Sequence, residues 1–206
     1  MPSDRYTLKT LNALKEHYET PNPNALIKEV NYITDHYRAY IEKSPFFALA
    51  TASEEGLDCS PRGDPAGFVQ VIDTKTIEFP DRPGNNRLDS LTNIIRNPAV
   101  ALLFLIPGQG NTLRINGTAC ISIDPELLKA HAYKGKLPKS VIQIKVDAVY
   151  FQCQKAITRS GLWKPELQLD SSQLPTAGQM IQSFSEEFDG DAYDRAYPER
   201  QKATIY

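Results

Sequence analysis

The sequence has few cysteines, and their placement limits the kinds of site they can build. Only Cys59, Cys120 and Cys153 occur in 206 residues, widely separated and without a CxxC pair. An odd number of isolated cysteines indicates neither a disulfide framework nor a zinc site. The cysteine pattern therefore predicts a protein of a reducing compartment, and we expect it in the cytoplasm.

A surplus of charge of one sign is also missing. The chain holds 23 basic and 25 acidic side chains, with a formal net charge of -2 and a pI near 5.9. Non-specific binding to nucleic acid or to an anionic membrane requires a basic surplus, so we expect neither partner. Uncharged runs of about 18 residues are absent, and the polar start "MPSDRYTLKTLNALKEHYE" lacks an apolar leader segment. The sequence predicts a soluble, unexported protein in which any anion site is local.

Common catalytic motifs are absent as well. The chain has no P-loop, no GxSxG and no GxGxxG after a predicted strand. The three histidines, His17, His36 and His131, stand apart, which predicts surface or helix-face positions and no metal site. Hydrolysis by a catalytic triad is not supported, and no catalytic residue is assigned. A chain without a nucleophile or proton relay suits a scaffold whose bound cofactor supplies the chemistry.

The pattern along the chain predicts three segments. Residues 1–44 form an N-terminal helical extension, with its second helix from Asp35 to Glu42. Residues 45–164 change to short apolar and alternating runs, which are typical of strands. Residues 165–206 contain a predicted helix in "TAGQMIQSFSEEF" and end in a polar tail, which we expect to pack on the strand-rich segment. At this length we expect one compact domain with appendages.

The strand-rich segment predicts an antiparallel architecture. One helix, from Asp89 to Arg96 with Leu88, Leu91 and Ile95 on its apolar face, follows the third strand. Short turns join most other strands, as in hairpins. The predicted fold is mainly β with peripheral helices (α+β), a six-stranded antiparallel barrel rather than a doubly wound parallel sheet. The six predicted strands lie in "FFALATAS", "LDCSPRGDPAGFVQVID", "KTIEFP", "AVALLFLI", "TLRINGTACISID" and "SVIQIKVDAVYFQCQ".

The stretch "IEFPDRPGNNRLDSLTNIIRNPAV" carries two arginines around a Gly-Asn-Asn core. A strand end followed by a helix N-terminus presents free backbone N–H groups where the helix dipole favours an anion. Arg82 and Arg87 could hold a phosphate there through charge-assisted hydrogen bonds. In the alternative interpretation, Asn86 caps the helix and the arginines pair with Asp81 and Asp89. This stretch alone does not decide between the two.

Three further motifs place polar groups in or beside strands. "SPRGDP" interrupts a strand, which is typical of a bulge or corner, and puts Ser60, Arg62 and Gly63 near the arginine-bearing loop if the strands form a hairpin. Arg114 in "TLRING" alternates with apolar neighbours, as a solvent-facing arginine does. Trp163 in "TRSGLW" is the only tryptophan, and such a residue more often packs than binds a ligand.

The order of these motifs resembles the pyridoxamine 5'-phosphate oxidase-like flavoprotein superfamily. The resemblance covers roughly Pro45 to Lys164, and its most specific element is "FPDRPGNNRLDSLTNIIRNPAVALLF". It implies an FMN-binding split β-barrel over residues 45–164. It also implies a homodimer with the flavin at the subunit interface.

The resemblance further implies which residues contact the flavin. The loop before the inserted helix would bind the phosphate, mainly through Asn86 and Arg87. The preceding strand would contribute a basic residue and backbone groups facing the ring. Arg114 would face the flavin or cross the interface, and Trp163 would reach the flavin of the partner subunit. The full implied set is Ser60, Arg62, Gly63, Arg82, Gly84, Asn85, Asn86, Arg87, Arg114 and Trp163.

Departures from the family pattern concern the substrate. Authentic pyridoxamine phosphate oxidases carry an "RxVLLK"-like strand where this chain has "SPRGDPAGFVQVID", and their late arginine-bearing segment has no good equivalent in "AYPERQKATIY". The chain therefore resembles an oxidase-related branch. The resemblance implies an FMN-dependent oxidoreductase that exchanges hydride between the flavin and a small molecule or NAD(P)H. Two alternatives stay open: a non-catalytic carrier or sensor of flavin, haem or deazaflavin, and a structural dimer whose loop arginines form surface pairs.

Overall fold

A computed structural model describes residues 6–205 and gives a mainly β protein with helices around one sheet. The strands are β1 (Phe46–Ser53), β2 (Gly56–Gly63), β3 (Gln70–Val71), β4 (Thr76–Asp81), β5 (Ala99–Leu105), β6 (Thr112–Ser122) and β7 (Ser140–Gln152). The helices are α1 (Leu11–His17), α2 (Pro23–Ile27), α3 (Asp35–Lys43), α4 (Asp89–Arg96), α5 (Pro125–Ala130), α6 (Lys155–Ser160), α7 (Ala177–Gln182) and α8 (Gly190–Thr204). The predicted fold class, mainly β with peripheral helices, is confirmed.

The sheet has seven strands in the order β2-β1-β5-β6-β7-β4-β3, and every neighbouring pair is antiparallel. The prediction of six strands differs because "LDCSPRGDPAGFVQVID" forms two strands. β2 runs without a bulge as far as Gly63, and the two-residue strand β3 then pairs with β4. β2 and β3 are the outer strands, so backbone hydrogen bonds do not close the sheet. An ion pair between Arg62 of β2 and Asp81 of β4 nevertheless joins two strands that are not neighbours.

The core follows from alternation along the central strands. In β1 and β5 every second residue is buried, as expected for strands with one face on the core. Phe47, Phe79 and Phe104 come from three strands and meet at ring-centroid distances of 4.9 and 5.1 Å. All three are almost fully buried. This cluster fixes the positions of β1, β4 and β5, and the end of β4 borders the site described below.

Helix α4 has the predicted bounds, and its predicted apolar face is correct only in part. Leu91 packs against the core as predicted. Leu88 and Ile95 are 52% and 79% exposed, so their predicted burial is wrong. Ile94, which is 3% exposed, joins the core instead.

The side of α4 that packs on β1 and β2 is also partly polar. Asn93 donates from Nδ2 to Thr51 Oγ1 at 3.2 Å and accepts from Ser53 Oγ at 2.7 Å. Apolar packing and these hydrogen bonds together set the orientation of the helix.

The terminal segments contain more helix than predicted. Pro23 interrupts the first helical stretch but opens α2, because proline is favoured at the first helical position and Asn22 caps it. The predicted polar tail contains the 15-residue helix α8, which Asp189 caps. Within residues 6–205 no helix is long and apolar enough to cross a membrane. The three-segment division of the chain remains a prediction.

Candidate functional site

A cavity of about 830 Å³ opens where β2, β4, the loop before α4 and the start of β7 meet. The structure brings most of the predicted binding residues to this cavity, although β2 and β4 are not hydrogen-bonded neighbours. Predicted residues that line it are Ser60, Arg62, Gly63, Arg82, Gly84, Asn85, Asn86 and Arg87. The spatial proximity of "SPRGDP" and the arginine-bearing loop is therefore confirmed.

The loop before α4 presents backbone donors to the cavity. Asn86 and Leu88 adopt left-handed conformations, with φ of 59° and 63°, and the Asn85 side chain accepts from the Arg87 backbone N–H at 3.1 Å. Leu88, not Asn86, is the N-cap of α4, and no side chain caps the helix. The alternative interpretation placed Asn86 as the cap of this helix, and that placement is wrong. First-turn N–H groups of an uncapped helix lack intrahelical acceptors, and they attract an anion.

Arg87 stands at this helix N-terminus and is mostly exposed. Its Nε donates to Asp89 Oδ2 at 2.8 Å, and the guanidinium is 75% exposed. The alternative interpretation paired Arg87 with an aspartate of this stretch, and the structure contains that ion pair with Asp89. An exposed pair of this kind is worth about 1 kcal/mol or less, because water screens it and ordering two side chains costs entropy. An anion with stronger hydrogen bonding can therefore compete with Asp89 for Arg87.

Arg62 lines the cavity and is paired within the protein. Its terminal NH1 group donates to Asp81 Oδ1 at 2.6 Å, and both side chains are mostly buried. Its Nε is the buried side-chain nitrogen without a hydrogen-bond partner within residues 6–205. Leaving a buried, charged donor unpaired costs about 1–3 kcal/mol or more. Because this nitrogen is shielded from solvent, any contact of Arg62 with a ligand in the cavity would have to come from its other guanidinium nitrogens.

Arg82 connects three parts of the cavity wall. Its Nε donates to Asp64 Oδ2 at 2.8 Å, and its NH1 donates to the His131 carbonyl at 2.9 Å. The guanidinium also lies over the Tyr133 ring, 5.8 Å from its centroid. Asp64 has a side chain that is only 2% exposed. Arg82 is therefore a part-buried link between the end of β2, β4 and the segment after α5.

Some lining residues escaped prediction because they are distant in sequence. Lys139 precedes β7, where its backbone N–H donates to the Asp81 carbonyl at 2.9 Å, and its exposed side chain borders the cavity. No local motif marks this lysine, and only the β4–β7 pairing brings it to the site. The charged lining residues balance, with four cations and four carboxylates. They are Arg62, Arg82, Arg87 and Lys139, and Asp58, Asp64, Asp81 and Asp89.

The prediction that all three histidines lie at the surface or on helix faces is wrong for His131. Its side chain is almost fully buried, and Nε2 lies 3.4 Å from Glu78 Oε2. Glu78 Oε1 also accepts from Gln143 Nε2 at 2.6 Å. The sequence places these three residues far apart, so only the sheet pairing reveals the cluster. It anchors the segment after α5 behind the cavity wall.

Two predicted residues lie outside the cavity. Arg114 is on β6, with its guanidinium 5.2 Å from the centroid of the Tyr150 ring. Trp163 follows α6 and donates from Nε1 to the Gln109 carbonyl at 2.7 Å. Neither lines the cavity of its own chain. Their predicted roles, which involve a flavin at the subunit interface, remain predictions.

The fold and the cavity define a mainly β domain with a cavity lined by arginines and by the backbone of the loop before α4. The family model of pyridoxamine 5'-phosphate oxidase matches residues 33–153, which span the strands and α4. The chain therefore belongs to the pyridoxamine 5'-phosphate oxidase family. The resemblance seen in the sequence is confirmed at this level.

Solved structures with partial similarity include three bacterial proteins. HupZ from Group A Streptococcus is 20% identical, with a TM-score of 0.46 over 57% of this chain and 91% of HupZ. A candidate pyridoxamine 5'-phosphate oxidase from Lactobacillus delbrueckii is 20% identical, with a TM-score of 0.48 over 59% of this chain and 95% of that protein. General Stress Protein 26 from Bacillus anthracis is 17% identical, with a TM-score of 0.43 over 55% and 88%. No curated protein matches the chain.

Proposed function

We propose that the cavity binds FMN through its phosphate and that the protein is an FMN-dependent oxidoreductase. The observation that carries the proposal is the uncapped N-terminus of α4 beside Arg87, at a cavity that Arg62 also lines. Backbone N–H groups and guanidinium donors around one cavity match the acceptor oxygens of a phosphate. Family membership supports the choice of a flavin, since proteins of this family commonly bind one.

The charge balance of the cavity assigns different roles to its cations. Arg62 and Arg82 are paired with largely buried carboxylates, so they do not offer a whole free charge to a ligand. Arg87 has only an exposed partner, and Lys139 extends from the opposite wall. A phosphate monoester carries a charge of about -1.5 to -2 at pH 7. We assign the phosphate to Arg87 and the α4 N-terminus, with Arg62 and Lys139 as further donors and Arg82 as a support.

The isoalloxazine ring would lie along the edge of β2. Within residues 6–205 this strand pairs with β1 alone, so the backbone groups on its other edge have no partner strand. The Asp64 N–H donates to the Pro45 carbonyl on the β1 side, so the alternation of the strand turns the backbone groups of Gly63 toward the free edge and those of Ser60 toward β1. Ser60 and Gly63 both line the cavity, and Ser60 would contact the ring through its side chain. A flavin ring has polar atoms along one side that match such an edge. Bound there, FMN would supply the hydride chemistry, while the protein would orient the ring and exclude water.

The proposal includes a homodimer with FMN between the subunits and a small molecule or NAD(P)H as reaction partner. Arg114 and Trp163 are the residues assigned to the subunit interface. Both are polar or aromatic groups outside the cavity of their own chain. A second subunit would bring these groups, or their equivalents, toward the open side of the cavity.

Native mass spectrometry of the purified protein tests the bound ligand directly. We expect FMN to copurify, and NAD(P)H to bleach its visible absorption when oxygen and other acceptors are excluded; adding an acceptor should restore the absorption. Bound FMN without reduction by any donor in a broad panel would favour a carrier or sensor. Haem or deazaflavin in place of FMN would contradict the choice of cofactor. A ligand-free protein that also fails to bind added FMN would leave a structural dimer as the remaining interpretation.

A further inference from the structure

The charged side chains that line the cavity do not all have partners within it. Three ion pairs join all but two of them, namely Arg62–Asp81, Arg82–Asp64 and Arg87–Asp89. Asp58 and Lys139 remain, and within residues 6–205 neither of them forms an ion pair. A lysine suits a phosphate site, whereas a carboxylate opposes one because like charges repel. Phosphate binding alone therefore gives no reason for Asp58 to lie in this cavity.

Asp58 lies on β2, and the first turn of α4 holds its carboxylate in place. Asp58 Oδ2 accepts a hydrogen bond from Ser90 Oγ at 2.5 Å, and Ser90 is only 3% exposed. A serine hydroxyl has one hydrogen to donate, so Ser90 has none left for a phosphate. The second carboxylate oxygen, Asp58 Oδ1, accepts no hydrogen bond within residues 6–205, and it is not buried. Asp58 therefore offers a fixed, charged acceptor at the cavity wall.

Asp58 connects the two parts of the cavity that the proposed function assigns to FMN. Its own strand, β2, carries Ser60 and Gly63, which are assigned to the ring. Its hydrogen bond to Ser90 reaches the first turn of α4, where the phosphate is assigned. The ribityl chain joins the ring of FMN to its phosphate, and its hydroxyl groups are hydrogen-bond donors. A carboxylate accepts such groups in strong, charge-assisted hydrogen bonds, so Asp58 matches this middle part of the ligand.

We propose that Asp58 is a specificity-determining residue, which accepts hydrogen bonds from the ribityl hydroxyls of FMN and disfavours anions without such donors. This inference rests on the proposed function, and it adds a residue that lies outside the set predicted from the sequence. A bare phosphate meets the negative charge of Asp58 and offers no hydroxyl in return, whereas FMN offers both groups together. Ser90 is a positioning residue, because it acts on the ligand only through Asp58.

Removing the Asp58 carboxylate should change the affinities for FMN and for inorganic phosphate in opposite directions. Ligand-free wild type and Asp58→Ala are titrated with FMN by flavin fluorescence, and inorganic phosphate is then titrated as a competitor. For Asp58→Ala we expect the Kd of FMN to rise about tenfold, because hydrogen bonds to a charged group are lost. We expect phosphate to bind about two- to fivefold more tightly, because a like charge is removed. Asp58→Asn, which loses the charge but keeps an acceptor for Ser90, should tighten phosphate binding similarly.

The control variant removes a carboxylate that does not line the cavity. Glu54 lies exposed in the turn between β1 and β2, so Glu54→Ala should leave both affinities unchanged. Weaker or unchanged phosphate binding in Asp58→Ala would overturn the inference, since the carboxylate would then only support the α4 N-terminus. An unchanged or lower Kd of FMN would also overturn it, since no ribityl contact would have been lost. Wild type that binds no FMN would contradict the proposed function itself, which separates that failure from the two above.

Discussion

At the scale of single residues, the arginines of the site divide by the partners they already have. Arg82 and Arg62 face carboxylates that are themselves mostly buried, whereas Arg87 faces an exposed one. A buried carboxylate needs its cation for stability, and an exposed pair contributes little. Similar arginines on one short stretch of sequence therefore have different tasks, which the sequence alone did not separate.

Removing Arg82 should mainly destabilise the fold. Arg82→Ala removes the ion pair to the buried Asp64 and the hydrogen bond to the His131 carbonyl, so we expect the free energy of unfolding to fall by about 3 kcal/mol in urea titrations. Arg96→Ala is the control, because the Arg96–Glu55 pair is exposed and should be worth under about 1 kcal/mol. Equal stability of the two variants would show that Arg82 does not hold the cavity wall.

At the scale of elements, α4 begins in an unfavourable conformation. Leu88 is the N-cap at φ 63°, a left-handed conformation that costs a non-glycine residue about 1–3 kcal/mol. Strain of this kind beside an uncapped helix end is compatible with a binding role, because it keeps the backbone donors turned toward the cavity.

Relieving this strain should stabilise the ligand-free protein. Leu88→Gly can adopt the same φ without a steric penalty, and the exposed leucine side chain contributes little packing. We expect the free energy of unfolding to rise by about 1 kcal/mol, after the entropy cost of glycine in the unfolded chain is subtracted. Unchanged or lower stability in urea would contradict the assigned strain.

Replacing the glycine at the β6 irregularity should disrupt the sheet. The register of β6 and β7 shifts between Asn116 and Gly117, and a Cβ on Gly117 would overlap the Lys145 carbonyl. We expect Gly117→Ala to lower the free energy of unfolding by about 1–3 kcal/mol. Gly84→Ala is the control, since a Cβ there meets no atom within 4 Å. A stable Gly117→Ala protein would contradict the close packing of the two strands.

Local pattern predicted much of this architecture. The bounds of β1 and α4 agree with the sequence-based expectations. The buried face of α4 was predicted only in part, because Ile94 joins the core and Asn93 forms a hydrogen bond to a distant strand, and the apolar spacing identified neither residue. Lys139 joins the site only through strand pairing between distant segments. The sequence thus predicted the arginine-bearing loop that forms part of the cavity wall. The position of Lys139 in the wall could be found only from the folded structure.

At the scale of the whole molecule, ligand binding and folding are linked. A ligand that binds only the native state stabilises it by about 2.7 kcal/mol at 100 times its Kd. For a chain of this size we expect FMN to raise the Tm by about 5–10 °C in differential scanning fluorimetry or calorimetry. Riboflavin, which lacks the phosphate, should give a much smaller shift. Equal shifts with both ligands would contradict a phosphate-based site.

The central claim is that Arg87 and the α4 N-terminus hold the phosphate of FMN. The most direct measurement is a titration of ligand-free protein with FMN, followed by flavin fluorescence, for wild type, Arg87→Ala and the control Arg96→Ala. Because hydrogen bonds to charged groups are worth about 1.5–3 kcal/mol, we predict that Arg87→Ala raises the Kd about 10- to 150-fold. Arg96→Ala should bind like wild type. Failure of the wild type to bind FMN, or an unchanged Kd in Arg87→Ala, would contradict the claim.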